Sequence, residues 1–504
     1  MAEAQEHQYD ILVAGGGFAG SLTALILHNQ GLKVCLAEKG QHPRFAIGES
    51  STPIADMLLR DIAETYNLPW LYDFSRYGSW QQTHPEIVCG LKRGFSYFKH
   101  YPGQEFTTDT DHSNELLVAA SVDDTQSDTN WLRADFDAFL VSKVVEAGIS
   151  YFDLTEIESA NRNSYWEFAC IRRGEALSLH AAFYIDATGG GVLLDKLMGV
   201  KSSADSFLTN SFAVFSHFNG LVPWMEISKR SGIPTNDFPY NPDNSALHQV
   251  LDEGWIWMLR FNDGRTSFGF ALNGRNESLK MMSSDVLWAA MLAKYPSVNE
   301  ILDSGTLAPI PGKILRQDRL QRKAAKCFGP GWAGLPHTAG FVDPLFSSGI
   351  AHSLAGIKKL AGILKQHFND PEPLDKSLQE YEQAIFAELK LIDQLVAGCY
   401  LTMAHFALFN AWSMLYFAAT ISHEQRLMQK KPPGYFLGAD DPYIIEMVQT
   451  SYADLLKIIE GGQPSKDDVV RFTNLVRERI KPLNTAGLLD PTLKNMYRHT
   501  AARI

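Results

Sequence analysis

The chain has 504 residues, of which 45% are hydrophobic and 20% are charged, and its formal net charge is −12. This composition excludes a mainly disordered chain, and the length predicts two or three packed units. The acidic balance argues against nucleic acid or an anionic membrane as partner, because both require clustered lysine and arginine.

The N-terminus and the cysteines indicate a cytoplasmic protein. Residues 1–9 are polar and lack the apolar core of a signal peptide. The cysteine count is odd and no CxxC pair occurs, so we expect neither a disulfide framework nor a metal site. The five cysteines are Cys35, Cys89, Cys170, Cys327 and Cys399.

Residues 10–38 read as a βαβ unit with a dinucleotide-binding turn. An apolar run predicts a buried strand at 11–14, a GxGxxG motif follows at 15–20, and a second strand ends at Glu38. Such glycines permit a tight turn and close approach of a pyrophosphate, and the following helix N-terminus attracts phosphate. A carboxylate at the end of the second strand accepts hydrogen bonds from a ribose. The predicted contacts are Gly15, Gly17, Phe18, Ala19, Gly20 and Glu38. The alternative is a glycine-rich turn in an ordinary α/β protein.

The remaining elements are predicted from periodicity and turn signals. The segment 406–421 is apolar, but it is shorter than the ~20 residues of a membrane span, so we expect a buried helix and no stable membrane insertion. Helices are expected at 55–66, 134–147, 283–303, 350–368 and from 376 onward with a break at 431–434, strands at 87–98 and within 205–275, and a surface excursion at 102–130.

Two segments resemble further fingerprints of the FAD-dependent monooxygenase superfamily. They are Trp-Leu-Arg-Ala-Asp-Phe-Asp at 131–137 and Tyr-Ile-Asp-Ala-Thr-Gly at 184–189. The resemblance implies that FAD is the dinucleotide, that Arg133 lies near the flavin, and that the turn at Asp186 closes a strand on it. Taken alone, the same segments read as a helix start with a capping aspartate and a strand-end turn.

Three more segments resemble the flavin-dependent halogenases, and the second of them, at 89–96, has the form found in phenol halogenases. They are Arg-Phe-Ala-Ile-Gly-Glu-Ser-Ser-Thr-Pro at 44–53, Cys-Gly-Leu-Lys-Arg-Gly-Phe-Ser at 89–96 and Gly-Phe-Val-Asp-Pro-Leu-Phe-Ser-Ser-Gly-Ile at 340–350. The resemblance implies that Lys92 is catalytic. It also implies that Ile47, Gly48, Glu49, Ser50, Asp343, Gly349 and Ile350 contact FAD, and that Ser347, Ser348 and Gly349 hold the halide.

The activity implied by this resemblance is halogenation of a small aromatic molecule. Reduced FAD, O2 and chloride or bromide would give hypohalous acid, which Lys92 passes to an electron-rich ring. Phe346 replaces the glutamate of tryptophan halogenases, which favours a phenolic ring. No second nucleotide fingerprint is present, so we expect a separate flavin reductase to supply FADH2.

The residues themselves leave other interpretations open. A strand lysine is usually exposed, although Gly90, Gly94 and Phe95 around Lys92 are not a polar edge. An apolar pocket would lower the pKa of its amine. Small residues at a helix N-terminus bind anions, yet Ser347 can also be a plain N-cap. Leu259-Arg260 departs from the Trp-x-Trp-x-Ile-Pro pattern of the halogenases, and Trp255 and Trp257 also suit an ordinary buried strand.

We therefore predict an α/β fold. It comprises a Rossmann-like FAD-binding domain of the flavoprotein monooxygenase type, an interleaved β-sheet substrate domain and a helical C-terminal region. The FAD-binding domain spans 1–375, the substrate-domain sheet lies at about 70–110 and 200–305, and the helical region at 376–504 covers the substrate pocket. The alternatives are a hydroxylase or oxidoreductase of the same fold and a non-catalytic flavoprotein.

Overall fold

The structure is a computed structural model that describes residues 7–431 and 434–502. Strands and helices alternate through the first half of the chain, which confirms the α/β class. Residues 1–6, and Pro432 and Pro433 within the expected helix break, lie outside the described residues. The strands are β1 (His7–Ala14), β2 (Val34–Ala37), β3 (Cys89–Lys92), β4 (Gly94–Lys99), β5 (Glu115–Ala119), β6 (Asp128–Trp131), β7 (Ser150–Phe152), β8 (Thr155–Arg162), β9 (Trp166–Arg172), β10 (Glu175–Asp186), β11 (Ser202–Ser203), β12 (Ser211–Asn219), β13 (Ala246–Val250), β14 (Gly254–Arg260), β15 (Arg265–Asn273), β16 (Thr306–Leu307), β17 (Leu315–Gln317), β18 (Arg322–Ala324), β19 (Phe328–Gly329), β20 (Trp332–Gly334), β21 (Gly340–Phe341) and β22 (Met496–Tyr497).

The helices fall into two groups, short ones between the strands and long ones in the C-terminal third. The long helices follow one another with short connections, so that each packs against its neighbours in sequence. They are α1 (Phe18–Asn29), α2 (Pro53–Thr65), α3 (Tyr77–Thr83), α4 (Arg133–Glu146), α5 (Val192–Met198), α6 (Trp224–Arg230), α7 (Glu277–Lys280), α8 (Ser284–Lys294), α9 (Pro296–Ile301), α10 (Pro336–Ala339), α11 (Ser348–His367), α12 (Pro371–Thr402), α13 (Phe406–Met428), α14 (Pro442–Glu460) and α15 (Lys466–Ile480).

The first sheet carries the βαβ unit. Its parallel part has the order β20-β10-β1-β2-β7, and the antiparallel strands β8 and β9 extend from β10. Ala14 at the end of β1 lies opposite both Ala37 and Asp186. The carboxyl ends of three parallel strands therefore meet at one edge, which is where ligands bind in open α/β sheets.

The second sheet is antiparallel except at two strand pairs. Its order is β16-β12-β15-β14-β13-β4-β5-β22, with β17 beside β12, and β4 runs parallel to β13 as β5 does to β22. Strands separated by more than a hundred residues thus become neighbours. One face of this sheet packs on α6, α8 and α9, and the other faces the long C-terminal helices.

The structure corrects two of the expected elements and confirms a third. The expected surface excursion at 102–130 is wrong in its second half, because β5 and β6 are buried strands. They contain few large apolar side chains, but all of these are buried in the protein. The expected helix at 283–303 is broken into α8 and α9 at Pro296. The segment 406–421 belongs to the buried helix α13, as expected. In the described part of the chain, no helix is long and apolar enough to cross a membrane.

Candidate active site

The glycine-rich turn brings β1, α1 and the end of β10 into contact. Gly15 has a φ of 105°, and a Cβ there would lie 2.6 Å from the carbonyl oxygen of Ala187. A Cβ on Gly20 would lie 1.8 Å from the carbonyl oxygen of Gly15. Both positions therefore require glycine, and the N-cap residue Gly17 provides no side-chain cap to α1.

Glu38 lies at the end of β2 beside this turn and is buried. Its Oε2 accepts hydrogen bonds from Gly16 N at 2.7 Å and Arg44 Nη2 at 3.1 Å, and its Oε1 accepts from Gly40 N at 2.7 Å. Burial raises its pKa, but Arg44 and the two amides outweigh burial and lower the pKa overall. The carboxylate is thus kept ionised at the edge where a ribose is expected.

Buried polar atoms without hydrogen-bond partners lie at the same edge of the first sheet. Both ring nitrogens of His42 and Nε of Arg44 are buried without a hydrogen-bond partner among the described residues. Buried polar atoms seldom lack partners, so these atoms fit a bound nucleotide that supplies them. One contact at this edge is unfavourable for a phosphate. Asp137 Oδ1 accepts a hydrogen bond from Phe18 N at 3.1 Å and places a negative charge at the start of α1.

Arg133 neutralises Asp137 and fastens the loop that follows β2. Its guanidinium donates to both oxygens of Asp137, at 2.9 and 2.8 Å, and to the carbonyl oxygens of Ile47 at 2.9 Å and Gly48 at 3.2 Å. It also lies 4.8 Å from the Phe18 ring centroid. The residues of the first fingerprint, the second fingerprint and loop 45–52 thus form one cluster, although the second fingerprint lies more than eighty residues from the other two in the sequence.

Loop 45–52 is also held from its other side. Glu49 and His217 are both buried, and Glu49 Oε1 lies 2.8 Å from His217 Nε2 on β12. Ser51 N donates to Thr129 O at 3.0 Å, and Ser50 bridges to Asn130 on β6. The Ser50 hydroxyl is buried without a described partner, so it remains free to bind a ligand.

Asp186 and Asp343 use their carboxylates to order local turns. Asp186 accepts from Thr188 N at 2.9 Å and Thr188 Oγ1 at 2.7 Å. Asp343 accepts from Ser211 Oγ at 2.6 Å, Tyr400 OH at 3.0 Å and Leu345 N at 3.1 Å. Burial raises the pKa of Asp343 to about 6. Each residue therefore shapes the backbone at the edge of the site and has few acceptor positions left for a cofactor.

The N-terminus of α11 presents free backbone amides. Ser347 precedes the helix with a φ of 52° and makes no side-chain cap hydrogen bond, so the plain N-cap alternative is not what the structure shows. A Cβ on Gly349 would meet no atom within 4 Å, so open space lies over the first turn, which continues at Ile350. This end of α11 suits an anion.

Lys92 ends β3 and is fully buried. Its Nζ donates to Ser51 O at 2.6 Å and lies 4.1 Å from the centroid of the Phe95 ring. Burial lowers its pKa to about 8, against the opposing charges of Asp128 and Asp56. A substantial fraction of the amine is therefore neutral near pH 8, which suits a residue that reacts with or hydrogen-bonds an electrophile.

Two buried aspartates accompany Lys92. Asp128 Oδ2 lies 3.9 Å from Lys92 Nζ and accepts no described hydrogen bond. Burial raises the pKa of both Asp56 and Asp128, and that of Asp56 is raised well above its normal value because the charge of Asp128 adds to burial. Asp56 is thus the carboxyl that more readily keeps a proton, and Asp128 is the carboxyl that faces the amine.

A narrow cavity lies between the second sheet, α13 and the C-terminal tail. Phe95 lines this cavity and also contacts Lys92 Nζ, and Thr52 follows the serine that binds Nζ. The amine therefore lies directly behind the cavity wall. The other lining residues are Pro53, Ile54, Val118, Ala120, Tyr416, Phe417, Thr420, Ile421, Glu424, Thr500 and Ala501.

The departures from the halogenase pattern have structural explanations. Phe346 stacks on Tyr416 with ring centroids 4.0 Å apart and thereby backs the cavity wall. Arg260 points away from the cavity, because its guanidinium donates to Asp243 at 2.9 Å and to Val222 O at 2.9 Å. Trp255 and Trp257 are buried on β14, where their indole N–H groups bind Tyr400 and Ser267.

Sequence reasoning missed four residues of this site: Asp56, Asp128, His217 and Glu424. Only Glu424 left a signal in the sequence. Phe417, Thr420, Ile421 and Glu424 follow the spacing of one helix face, so a carboxylate at the end of that face could have been placed beside the apolar residues. The others become neighbours only through the pairing of distant strands.

Comparison with known proteins adds family evidence to this geometry. Residues 10–94 match the model of an FAD-binding domain, and residues 130–406, more than half of the chain, match the tryptophan halogenase model. Monodechloroaminopyrrolnitrin halogenase PrnC of Pseudomonas fluorescens is 25% identical over 95% of this chain and 86% of its own. Tetracycline 7-halogenase of Kitasatospora aureofaciens is 23% identical over 96% of this chain and 90% of its own.

One solved structure aligns with nearly the whole fold. The crystal structure of halogenase PltM in complex with phloroglucinol and FAD has a TM-score of 0.85. It is 23% identical in sequence, and the alignment covers 98% of this chain and 99% of that one.

Proposed function

The chain belongs to the tryptophan halogenase family and is a flavin-dependent halogenase with FAD as its cofactor; within that family we propose that it halogenates a small phenolic molecule through Lys92. The observation that carries the proposal is the position of Lys92, a fully buried amine with a lowered pKa beside an apolar cavity. The ion pair of Lys92 with Asp128 is long, with 3.9 Å between Nζ and Oδ2, whereas a purely structural lysine would be expected to be exposed or to have a close partner.

FAD would be held by the glycine turn, Glu38, Arg133 and loop 45–52, where the unpaired atoms of His42 and Arg44 lie. When bound in its reduced form, FAD would supply two of the four electrons that O2 takes up, and the halide would supply the other two, so that hypohalous acid and water form. A separate flavin reductase would supply reduced FAD. The chain itself would exclude bulk water, since loop 45–52 is tied to β6, β12 and α4.

The halide, chloride or bromide, would lie at the N-terminus of α11. Ser348 and Gly349 place backbone amides there without a competing side-chain cap, Ser347 precedes them with its own amide bonded to Pro344 O at 2.9 Å, and open space lies over Gly349. The positive end of the helix dipole then favours a small anion.

Lys92 would receive the oxidised halogen and present it to the ring. Ser51 O holds Nζ in place, and Asp128 can hold a proton that the amine gives up. The cavity walls of Phe95, Tyr416 and Phe417 suit an aromatic ring, although this narrow cavity must widen to admit one. PltM, whose fold this chain shares, was crystallised with the phenol phloroglucinol, which supports a phenolic substrate.

The direct test is mass spectrometry of turnover products. The protein would be incubated with FAD, NADH, a general flavin reductase, air, and chloride or bromide, over a panel of phenols, indoles and pyrroles. The proposal expects a halogen isotope pattern on phenols. A hydroxylated product, or NADH consumption without any product, would instead support a hydroxylase or a non-catalytic flavoprotein.

A further inference from the structure

One carboxyl group lines the cavity, and it is contributed by α13, which is far from Lys92 in the sequence. Glu424 lies on α13, is 3% exposed, and lines the cavity together with side chains that are mainly apolar. Its Oε2 accepts a hydrogen bond from Ala502 N at 2.9 Å. No hydrogen bond to Oε1 and no ion pair of Glu424 occurs within residues 7–431 and 434–502.

This environment disfavours an unpaired carboxylate. Burial, with a smaller contribution from the nearby charge of Asp128, raises the pKa of Glu424 to about 8. A buried carboxyl group costs stability unless both of its oxygens are hydrogen-bonded, so Oε1 is open to a ligand that would complete its hydrogen bonding.

Three of the other polar side chains of the cavity are already engaged. Thr420 Oγ1 donates to Phe417 O at 2.8 Å, Thr500 Oγ1 donates to Ala119 O at 2.9 Å, and Tyr416 OH donates to Phe346 O at 2.9 Å. The Thr52 hydroxyl is unpaired among the described residues and lies next to the serine that binds Lys92. Glu424 is therefore the one acidic group that this wall offers to a ligand.

We propose that Glu424 forms a hydrogen bond through Oε1 with the phenolic hydroxyl of the substrate, and thereby selects hydroxylated rings and determines which ring carbon faces Lys92. The inference deepens the proposed function and depends on it for the identity of the substrate. The chain places Phe346 where tryptophan halogenases have a glutamate, and Glu424 instead supplies a carboxyl group from α13. As a carboxylic acid it donates to the hydroxyl oxygen, and as a carboxylate it accepts from the hydroxyl.

The test compares two rings of nearly equal shape, phenol and toluene, on the FAD-loaded protein. Their dissociation constants would be measured by titration for the native protein and for Glu424→Leu and Glu424→Gln. The native protein is expected to bind phenol at least about tenfold more tightly than toluene, because one buried hydrogen bond accounts for a factor of that order. Glu424→Leu is expected to reduce this preference to about twofold, and Glu424→Gln to retain part of it.

Ser413→Ala is the matched control, since it removes a hydroxyl of the same helix that is already bonded to Phe409 O and does not line the cavity. Its preference for phenol should equal that of the native protein. Because Glu424→Gln is isosteric, it keeps the test valid if Glu424→Leu does not fold, and it is expected to change the ratio of halogenated isomers formed from a substituted phenol.

An unchanged preference for phenol in folded Glu424→Leu and Glu424→Gln would overturn the inference, as would a native protein that binds both rings equally. These outcomes are separable from failure of the proposed function. If the native protein prefers phenol through Glu424 but incorporates no halogen, the proposed reaction is wrong and the recognition of the hydroxyl stands. If halogenation depends on Lys92 while Glu424 is immaterial, only the inference falls.

Discussion

Glu49 and His217 form a buried hydrogen bond of 2.8 Å that joins loop 45–52 to β12 of the second sheet. The two residues are separated by 168 positions in the chain, and both side chains are almost completely inaccessible to solvent. The loop that the family resemblance places over the flavin is therefore fixed to the sheet that carries the substrate cavity. A substitution in loop 45–52 is therefore expected to alter the substrate cavity, and a substitution in β12 is expected to alter flavin binding.

Replacing His217 with leucine should weaken both stability and FAD binding. The change leaves the Glu49 carboxyl buried without its partner, and such losses cost about 3–5 kcal/mol when the remaining group is charged. A double-mutant cycle with Glu49→Gln, followed by denaturant unfolding, should give a coupling free energy of about 1–3 kcal/mol. Additive effects of the two changes would mean that the contact does not hold the loop.

Lys92→Met should abolish halogenation of a phenol while oxidation of reduced flavin continues. The variant keeps the apolar stem but removes the amine that is bound to Ser51 O and faces Asp128. Product formation should fall by more than about a hundredfold, within the range of two to four powers of ten that a single catalytic side chain contributes.

The control for this variant is Lys99→Met. Lys99 is also buried in the second sheet, but its amine is paired with Asp252 at 2.5 Å and does not contact the cavity. Halogenation should persist in it. Equal loss of product in both variants would show that burial of a lysine, and not the position of Lys92, is what matters.

The pH dependence of halogenation should reflect the lowered pKa of Lys92, which is about 8. The neutral amine is formed as the pH rises through that value, so the rate should rise below pH 8 and level off above it. Asp128 opposes the effect of burial by raising the pKa of Lys92. Asp128→Asn should therefore lower that pKa further and move the rising limb to lower pH by roughly one unit. Rates of the two proteins across a pH series check this, and an unmoved or alkaline-shifted limb would contradict it.

Gly349→Ala should weaken halide use without loss of stability. A Cβ at this position meets no protein atom within 4 Å, and alanine favours a helix by up to about 1 kcal/mol over glycine, so the melting temperature should be unchanged or higher. If the halide lies over this turn, the methyl group displaces it and the KM for bromide should rise by about tenfold.

Gly362→Ala in the same helix provides the comparison, because its Cβ also meets no atom within 4 Å. This second variant should keep the KM of the native protein. A KM for bromide that is the same in both variants would place the halide elsewhere.

Local pattern in the sequence determined the nucleotide turn, the long helices and the α/β class. Short-range rules act there: Gly20 must lack a side chain because Gly15 O is its neighbour, and the apolar run of α13 is too long for a strand. Resemblance to a family then directed attention to Lys92 and to loop 45–52. The same local rules did not predict β5 and β6 within 102–130, because these short buried strands are surrounded in the sequence by polar residues.

Only the tertiary structure decided which charged groups face one another. The pairing of β3 with β6 brings Asp128 opposite Lys92, β12 brings His217 to Glu49, and the tail that follows β22 brings Ala502 to Glu424. No periodic pattern in the sequence predicts these pairings, because they depend on the order of the strands and on the path of segments that are far apart in the chain. The pKa values of the buried groups depend in turn on those neighbours and on burial, so the sequence directed attention to Lys92 while the fold determined the pKa of its amine.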